Sequence, residues 1–192
     1  LLIPAMNGAN FVSVRDKSSV AILKKWGVKK KVHIIPDPAL GLSYKRLTNK
    51  ELKALGINPN KKIIGLSLRN LKKLNDLHFI DDLCTLLSQQ MTKGHQVVFI
   101  PFCRSPINKF ENDLYIGRRL KHQLKNKNFI VLEKELNPRQ LKSLVARLDL
   151  MIGMRLHAMI LAIATKTKLI GISYAQKTKT FLEEYNQHVF NP

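Results

Sequence analysis

The sequence predicts an α/β fold built on a doubly wound parallel sheet. From residue 61 onward, five short runs rich in β-branched residues alternate with five segments of helical periodicity. The short runs are apolar at consecutive positions, which is typical of parallel strands that helices cover on both faces. At 192 residues, with 45% hydrophobic positions, the chain is long enough to bury a sizeable core. We therefore expect one globular domain, preceded by part of another.

The residues before this alternation predict a smaller unit. Its expected elements are a strand at residues 11–14, an amphipathic helix that begins at Ser18 and Ser19 and ends at Gly27, and a strand at residues 32–35. Further on, Thr48 and Glu51 have the spacing of a capping box, which predicts a short helix that ends at Gly56. The first unit looks like the last part of an α/β domain.

The alternating part supplies the main sheet. The expected strands are residues 63–68, 97–100, 129–132, 148–152 and 169–172, and the expected helices are residues 79–91, 114–124, 139–147, 156–164 and 178–185. In such a sheet, ligands bind beyond the carboxyl ends of the strands. The residues that directly follow each strand are therefore the first candidates for a functional site.

The composition is strongly basic. Lys and Arg number 33 against 13 Asp and Glu, which gives a formal net charge of +20 and a pI near 10.2. This charge predicts attraction to nucleic acid, anionic lipid headgroups or phosphorylated substrates. No basic run alternates with stacking aromatic residues, so nucleic acid is the weakest of these partners. No apolar run reaches the roughly 18 residues that a membrane-spanning helix needs.

The most informative stretch is LDLMIGMRLHAMILAIA, residues 148–164. A buried strand ends here, Gly153 permits a tight turn, and Arg155 and His157 open an apolar helix. The first turn of a helix presents N–H groups and about half of a positive elementary charge, so an anion bound there would also meet Arg155. We infer an anionic ligand. The alternative is that Arg155 is a surface cap and His157 an ordinary polar residue at a helix start.

Cationic side chains follow other expected strands as well. Arg69 follows the first strand of the main sheet, Lys177 lies shortly after the fifth, and Arg15 ends the first strand of the smaller unit. Because the carboxyl ends of parallel strands share one edge, such cations could converge on one small anion. Part of this charge could equally be ordinary surface charge at the ends of loops.

Several common catalytic signatures are absent from the sequence. It contains no GxGxxG, GxxxxGK[ST], GxSxG or HExxH, so the common dinucleotide, triphosphate, acyl-transfer and zinc signatures are missing. Cys84 and Cys103 form no CxxC pair and no metal-ligand set with the six histidines. We expect reduced thiols in a cytoplasmic protein, and no metal site.

Five stretches, taken in order, resemble the polysaccharide pyruvyltransferase family. They are FVSVRDKSSVAILKKWGV, PDPAL, IIGLSLRN, LDLMIGMRLHAMILAIA and LIGISYAQK, and GMRLHA is the most specific part. The family's fold looks like glycosyltransferase type B, in which two Rossmann-like domains face each other across a cleft. The resemblance implies that residues 1–45 are the tail of the N-terminal domain, residues 46–60 a linker and residues 61–192 the C-terminal, donor-binding domain.

The resemblance also implies an activity. Members of this family transfer the enolpyruvyl group of phosphoenolpyruvate to two sugar hydroxyls, which forms a pyruvate ketal on a cell-surface glycan, such as an exopolysaccharide or cell-wall polymer, or on its lipid-linked precursor. By residue-to-residue match, Arg15, Arg155 and Lys177 would bind the donor, with Arg69 as a weaker inclusion. His157 is the candidate for the catalytic residue, and three roles are open for it: protonation of the methylene carbon, deprotonation of a sugar hydroxyl, or binding of the phosphate alone. Phosphoenolpyruvate is the donor substrate, and neither a cofactor nor a metal is implied.

Two other functions fit the same residues. A nucleotide-sugar glycosyltransferase of the same fold would use the arginines to bind a diphosphate. Alternatively, the chain would be an inactive basic fragment that binds anions or lipids without catalysis. The basic surface also predicts peripheral contact with the inner face of an anionic membrane. Each Lys or Arg close to such a membrane surface contributes about 1 kcal/mol to binding.

Overall fold

A computed structural model of the chain describes residues 2–69, 78–105, 107–108, 111–173 and 176–190, without the side chains of residues 176 and 177. The contacts divide it into two compact units, Leu1–Gly41 and Leu42–Pro192. The division lies four residues before the end of the tail expected from the sequence. The assignment of these units to the domains of a larger enzyme stays a prediction.

The first unit is small and contains a two-stranded parallel sheet. Its elements are α1 (Leu2–Gly8), β1 (Val12–Val14), α2 (Lys17–Lys25), β2 (Val32–Ile34) and a 3₁₀ turn (Pro38–Leu40). Strand β1 pairs with β2 in the register Val12 to Val32. Helix α2 begins one residue before the expected start, because the Asp16 carboxylate accepts a hydrogen bond from the Ser19 N–H at 2.7 Å. Helix α1 is absent from the elements expected from the sequence.

The second unit contains the main sheet and its covering helices. In chain order, its elements are α3 (Asn49–Ala54), β3 (Ile63–Ser67), α4 (Phe79–Thr92), β4 (Gln96–Phe99), α5 (Asp113–Leu124), β5 (Phe129–Val131), α6 (Pro138–Val145), β6 (Leu150–Gly153), α7 (Leu156–Ala164), β7 (Lys168–Ile172), α8 (Gln176–Glu184) and β8 (His188–Phe190). The expected alternation of strands and helices is therefore confirmed, with bounds that differ by at most two residues. Strand β8 is absent from the elements expected from the sequence.

The short helix predicted from the capping box is present. In α3, the Glu51 N–H donates to the Thr48 hydroxyl, and the Glu51 carboxylate accepts from the Thr48 N–H at 2.7 Å. Leu52 and Ile57 are almost fully buried. Residues 46–60, expected as a linker, thus pack within the second unit.

The six strands of the main sheet are all parallel and stand in the order β5-β4-β3-β6-β7-β8. From β3, the chain adds β4 and β5 on one side, then returns to add β6, β7 and β8 on the other. Strands β3 and β6 are therefore neighbours at the point where the direction of winding reverses. In open parallel sheets, this reversal leaves a crevice beyond the carboxyl ends of the two strands.

Helices cover both faces of this sheet. On one face, Ile64 and Leu66 of β3 share a buried cluster with residues of α4 and α5. On the other face, small residues allow the following helices to approach closely: a Cβ at Gly153 would lie 3.1 Å from Met159 of α7, and one at Gly171 would lie 2.3 Å from Leu182 of α8. The doubly wound parallel sheet predicted from the sequence is confirmed.

Candidate active site

The carboxyl edge of β3 and β6 brings together residues that follow these two strands. Ser67 at the end of β3 is in register with Gly153 at the end of β6, and the Ser67 carbonyl accepts a hydrogen bond from the Met154 N–H at 2.8 Å. Two residues after Ser67, the Arg69 N–H donates to the Met154 sulfur at 3.4 Å. The structure therefore places Arg69 beside the segment that leads to Arg155, although the two arginines are 86 positions apart in the sequence.

Arg155 is held by a buried carboxylate. Its Nη2 donates to Asp113 Oδ1 at 2.6 Å, and its Nε lies 3.1 Å from both Asp113 oxygens. The Arg155 side chain is 17% exposed and the Asp113 side chain is fully buried. Two parallel contacts between a guanidinium and a carboxylate fix the orientation of both groups. Arg155 is thus a positioned group, and Asp113 balances its charge.

Asp113 also organises the loop that follows β4. Its Oδ2 accepts hydrogen bonds from the N–H groups of Phe102 and Cys103, at 3.1 and 2.9 Å, and its own N–H donates to the Cys103 carbonyl. One buried carboxylate therefore ties together the β4 loop, the start of α5 and the start of α7. In the sequence, Asp113 resembles any acidic residue in the first turn of a helix, so nothing there predicts its contact with Arg155.

His157 lies in the first turn of α7 and is exposed. Arg155 occupies the N-cap position of this helix in an extended conformation, and its side chain makes no capping hydrogen bond. The two side chains diverge, as expected for positions two apart: Arg155 turns to the α5 start and His157 reaches solvent. The start of α7, whose first-turn N–H donors and partial positive charge favour an anion, therefore lies beside an exposed imidazole.

Arg15 belongs to the first unit. It follows β1 directly and donates to Asp37 at 2.7 Å, where its side chain remains 38% exposed. Asp37 in turn accepts from the Ala39 N–H and so caps the 3₁₀ turn. The Arg15 side chain is therefore oriented within its own unit, at the carboxyl end of a strand as the sequence predicts.

Lys177 is the second residue of α8, and its side chain lies outside the described residues. Residues 174 and 175, which lead into α8, and residues 70–77, which follow Arg69, lie outside them as well. Of the five predicted site residues, Arg69, Arg155 and His157 share the carboxyl edge of β3 and β6. Their role in binding or catalysis stays a prediction.

Another arginine at this edge stabilises two loops of the chain. Arg104 follows β4 and donates to the carbonyl oxygens of Leu132, Glu133 and Lys134, at 2.7 to 3.1 Å, so it joins the β4 and β5 loops. Nearby, Arg118 makes a two-pronged contact with the Glu133 carboxylate, and this hydrogen bonding lowers the pKa of Glu133. The hydrogen bonds of Arg104 therefore give it a structural role in these two loops.

Cys84 lies in α4, and Cys103 lies in the loop that follows β4. Both thiols are free, Cys84 is buried in α4, and burial raises the pKa of the Cys84 thiol. Among the residues that the structure describes, no three His, Cys, Asp or Glu side chains come together as metal ligands would. Within the same residues, no helix is long and apolar enough to cross a membrane.

The fold and this edge define a class of protein, namely parallel α/β proteins with a cationic site at the topological switch point. Comparison of the sequence with family models is more specific, because the model described as polysaccharide pyruvyl transferase matches residues 1–176. The chain therefore belongs to the polysaccharide pyruvyl transferase family, and the resemblance inferred from its motifs is confirmed. No curated protein matches the sequence.

Several solved structures have a similar fold. A sucrose-phosphate synthase from Thermosynechococcus elongatus has a TM-score of 0.56 at 15% identity and matches 100% of this chain over 47% of its own length. An α,α-trehalose 6-phosphate synthase from Burkholderia multivorans has a TM-score of 0.59 at 13% identity, over 100% of this chain and 49% of its own. A family 9 glycosyl transferase from Veillonella parvula has a TM-score of 0.54 at 15% identity, and the match covers 90% of this chain and 47% of that protein.

These similarities concern the fold, which is that of glycosyltransferase type B with its Rossmann-like domains. The chain spans about half the length of these proteins.

Proposed function

We propose that this chain forms the donor site of a pyruvyltransferase that uses phosphoenolpyruvate and forms a pyruvate ketal on a sugar. The observation that carries the proposal is the placement of Arg155 and His157 at the start of α7, beside Arg69 and the end of β3, in a chain of the polysaccharide pyruvyl transferase family. This is the edge at which open parallel sheets bind their ligands. Because phosphoenolpyruvate is a cytoplasmic metabolite, we place the enzyme in the cytoplasm.

The charges of the donor suit this edge. Phosphoenolpyruvate carries a carboxylate and a phosphate monoester of about −1.5 to −2 charge at neutral pH. The N–H groups at the α7 start suit one anionic group, and a guanidinium oriented by Asp113 offers planar donors to the other. Arg69 and Lys177, which follow two strands of the same sheet, would add positive charge around this donor.

The chemistry needs one proton to move onto carbon. When the methylene carbon of phosphoenolpyruvate gains a proton, the adjacent carbon becomes electrophilic and a sugar hydroxyl adds to it. A second hydroxyl of the same sugar then attacks that carbon. The bond between the carbon and the ester oxygen of the phosphate breaks, and inorganic phosphate leaves with the electrons of this bond. The hydroxyl protons pass to the general base and to phosphate, so the ketal forms without an oxidant or reductant. We assign the proton transfer to His157, a contribution worth about 10²–10⁴ in rate.

A ligand titration tests the donor site. We would measure the unfolding temperature of the chain with increasing phosphoenolpyruvate, and with a nucleotide sugar in parallel. A ligand at 100 times its Kd stabilises a protein by about 2.7 kcal/mol. The expected result is a rise with phosphoenolpyruvate alone that is reduced in His157→Gln. The matched control is His122→Gln, which removes another exposed histidine, in α5, away from the sheet edge.

Two results would contradict the proposal. Stabilisation by the nucleotide sugar and not by phosphoenolpyruvate would indicate a nucleotide-sugar glycosyltransferase on this fold. An equal response to phosphoenolpyruvate in wild type, His157→Gln and His122→Gln would remove His157 from the donor site.

A further inference from the structure

Helix α2 leaves apolar side chains uncovered. Leu23 is buried against its own small sheet, whereas Ile22 is 46% exposed and Trp26 is 59% exposed. Ile22 and Trp26 are four positions apart, so they lie one above the other on the same side of the helix. Two large apolar side chains therefore form a ridge in solvent.

Lysines are concentrated in the same segment of the chain. Residues 17–31 contain six lysines and no acidic residue: Lys17, Lys24, Lys25, Lys29, Lys30 and Lys31. All six are exposed. Lys24 and Lys25 lie in the last turn of α2, where they also complement the helix dipole. Lys29, Lys30 and Lys31 lie in the loop that leads to β2. The apolar ridge and the densest positive charge of the first unit thus occupy the same segment.

This combination matches the surface of an anionic bilayer. Interfacial helices bury an apolar side in the lipid headgroup region while lysines meet anionic headgroups, and Trp is enriched at that depth. Single-stranded nucleic acid would need a series of stacking aromatic faces beside the lysines. Within residues 17–31, Trp26 is the single aromatic residue. The exposed aromatic residue that precedes it in the sequence, Phe11, already stacks on His33, with the ring centres 4.6 Å apart.

We propose that α2 and the loop after it, residues 17–31, form a docking surface for an anionic lipid bilayer, into which Ile22 and Trp26 insert. The surface lies wholly within the first unit and contains none of the predicted donor-site residues. Electrostatic attraction through the six lysines would bring the chain to the bilayer, and insertion of the apolar ridge would retain it there.

The tryptophan of this surface reports on the proposal directly, because the chain contains a single Trp. Vesicles of phosphatidylcholine with 30% phosphatidylserine, against vesicles of phosphatidylcholine alone, provide the comparison. The expected result is a blue shift of Trp26 emission and quenching by brominated lipid chains with the anionic vesicles only. Emission that stays unchanged while the protein co-sediments with anionic vesicles would overturn insertion.

Matched triple variants test the location of the charge. We expect Lys29→Ser, Lys30→Ser and Lys31→Ser together to weaken binding to the anionic vesicles about 100-fold. The control triple is Lys121→Ser, Lys127→Ser and Lys134→Ser, which removes the same charge from exposed positions of the second unit and should weaken binding less than about threefold. Circular dichroism of both triples verifies folding. Equal weakening by the two triples would overturn a local docking surface.

Three further outcomes would also overturn the proposal. If Ile22→Ser leaves vesicle affinity unchanged, the apolar ridge does not insert. A blue shift of Trp26 that grows with protein concentration without vesicles, together with a dimer in light scattering, would assign the ridge to a second copy of the chain. Tighter binding to a single-stranded oligonucleotide than to the anionic vesicles would assign the surface to nucleic acid.

Discussion

At the scale of single residues, the ion pair between Arg155 and Asp113 decides how the candidate site is built. Asp113 is fully buried and receives hydrogen bonds from Arg155, Phe102 and Cys103. A neutral amide has one acceptor oxygen in place of a carboxylate's two, so Asp113→Asn leaves part of this donor set without an acceptor. Breaking a buried pair from one side typically costs about 3–5 kcal/mol.

We therefore expect Asp113→Asn to lower the free energy of unfolding by about 3 kcal/mol, measured by urea denaturation. The control is Asp82→Asn, which changes an exposed carboxylate in the first turn of α4 and should alter stability by less than about 0.5 kcal/mol. If the two variants are equally stable, Asp113 does not hold Arg155 in solution.

Lys142 allows a prediction of pH dependence. It is 2% exposed, its Nζ lies 5.6 Å from the centre of the Tyr44 ring, and burial lowers the pKa of its ammonium group. Burial thus disfavours the charged form in the folded state, and this cost applies fully below the lowered pKa. Stability is regained as the pH rises from the folded pKa towards the unfolded value near 10.4, because the unfolded chain then binds more protons.

The expected result is that Lys142→Met unfolds at a higher temperature than wild type at pH 7, and that this advantage shrinks as the pH approaches 10. Thermal unfolding followed by circular dichroism over that range measures it. Lys127→Met, at an exposed position, is the control and should show no such trend. A constant difference between Lys142→Met and wild type at every pH would contradict the interpretation.

At the scale of elements, the close packing of α5 against the sheet depends on Gly117. A Cβ at this position would lie 2.5 to 3.0 Å from ring carbons of Phe99, which is fully buried in β4. In a helix interior, Gly→Ala normally stabilises by about 1 kcal/mol. Here the contact with a rigid ring is the larger effect, because overpacking a core costs about 1–3 kcal/mol. The same helix carries Asp113 at its first position.

We therefore expect Gly117→Ala to be destabilised by about 1–2 kcal/mol, opposite in sign to the helix propensity. Chemical denaturation provides the measurement. Gly8→Ala is the control, because a Cβ there meets nothing within 4 Å, and it should leave stability within about 0.5 kcal/mol of wild type. A stabilised Gly117→Ala would mean that Phe99 moves aside at little cost.

At the scale of the whole molecule, the two units differ greatly in the core that each can form. The buried core of the first unit is Val12, Leu23 and Val28, with a few half-buried side chains around it. The second unit contains the six-stranded sheet with apolar clusters under its helices. Chains of about 40 residues rarely fold alone without disulfides or metals, whereas one of about 150 residues buries enough surface to do so.

The prediction is that residues 42–192 fold independently, with an unfolding temperature within a few degrees of the full chain, and that residues 1–41 alone are unfolded. Far-ultraviolet circular dichroism of the two fragments measures this. An aggregated or unfolded 42–192 fragment, next to a full chain that unfolds cooperatively, would show that the second unit requires the first.

The sequence by itself determined the local structure of this protein. The alternation of strands and helices, the Thr48–Glu51 capping box and the position of Arg155 and His157 at a helix start all follow from residues within one or two turns of each other. The family could also be recognised, since its motifs are contiguous stretches in a constant order. Strand β8 and helix α1 lie outside the predicted elements; α1 contains neither a charged nor a fully buried residue, so no amphipathic pattern indicates it.

Tertiary structure alone decided what surrounds those residues. The strand order places β3 beside β6 and so brings Arg69 next to Met154. The pair between Arg155 and Asp113 joins positions 42 residues apart, in helices that follow different strands. Such contacts depend on packing and on the register of the whole sheet, which no local pattern encodes. The sequence could therefore identify the cations of the site, whereas only the folded chain shows that one of them is held by a buried carboxylate.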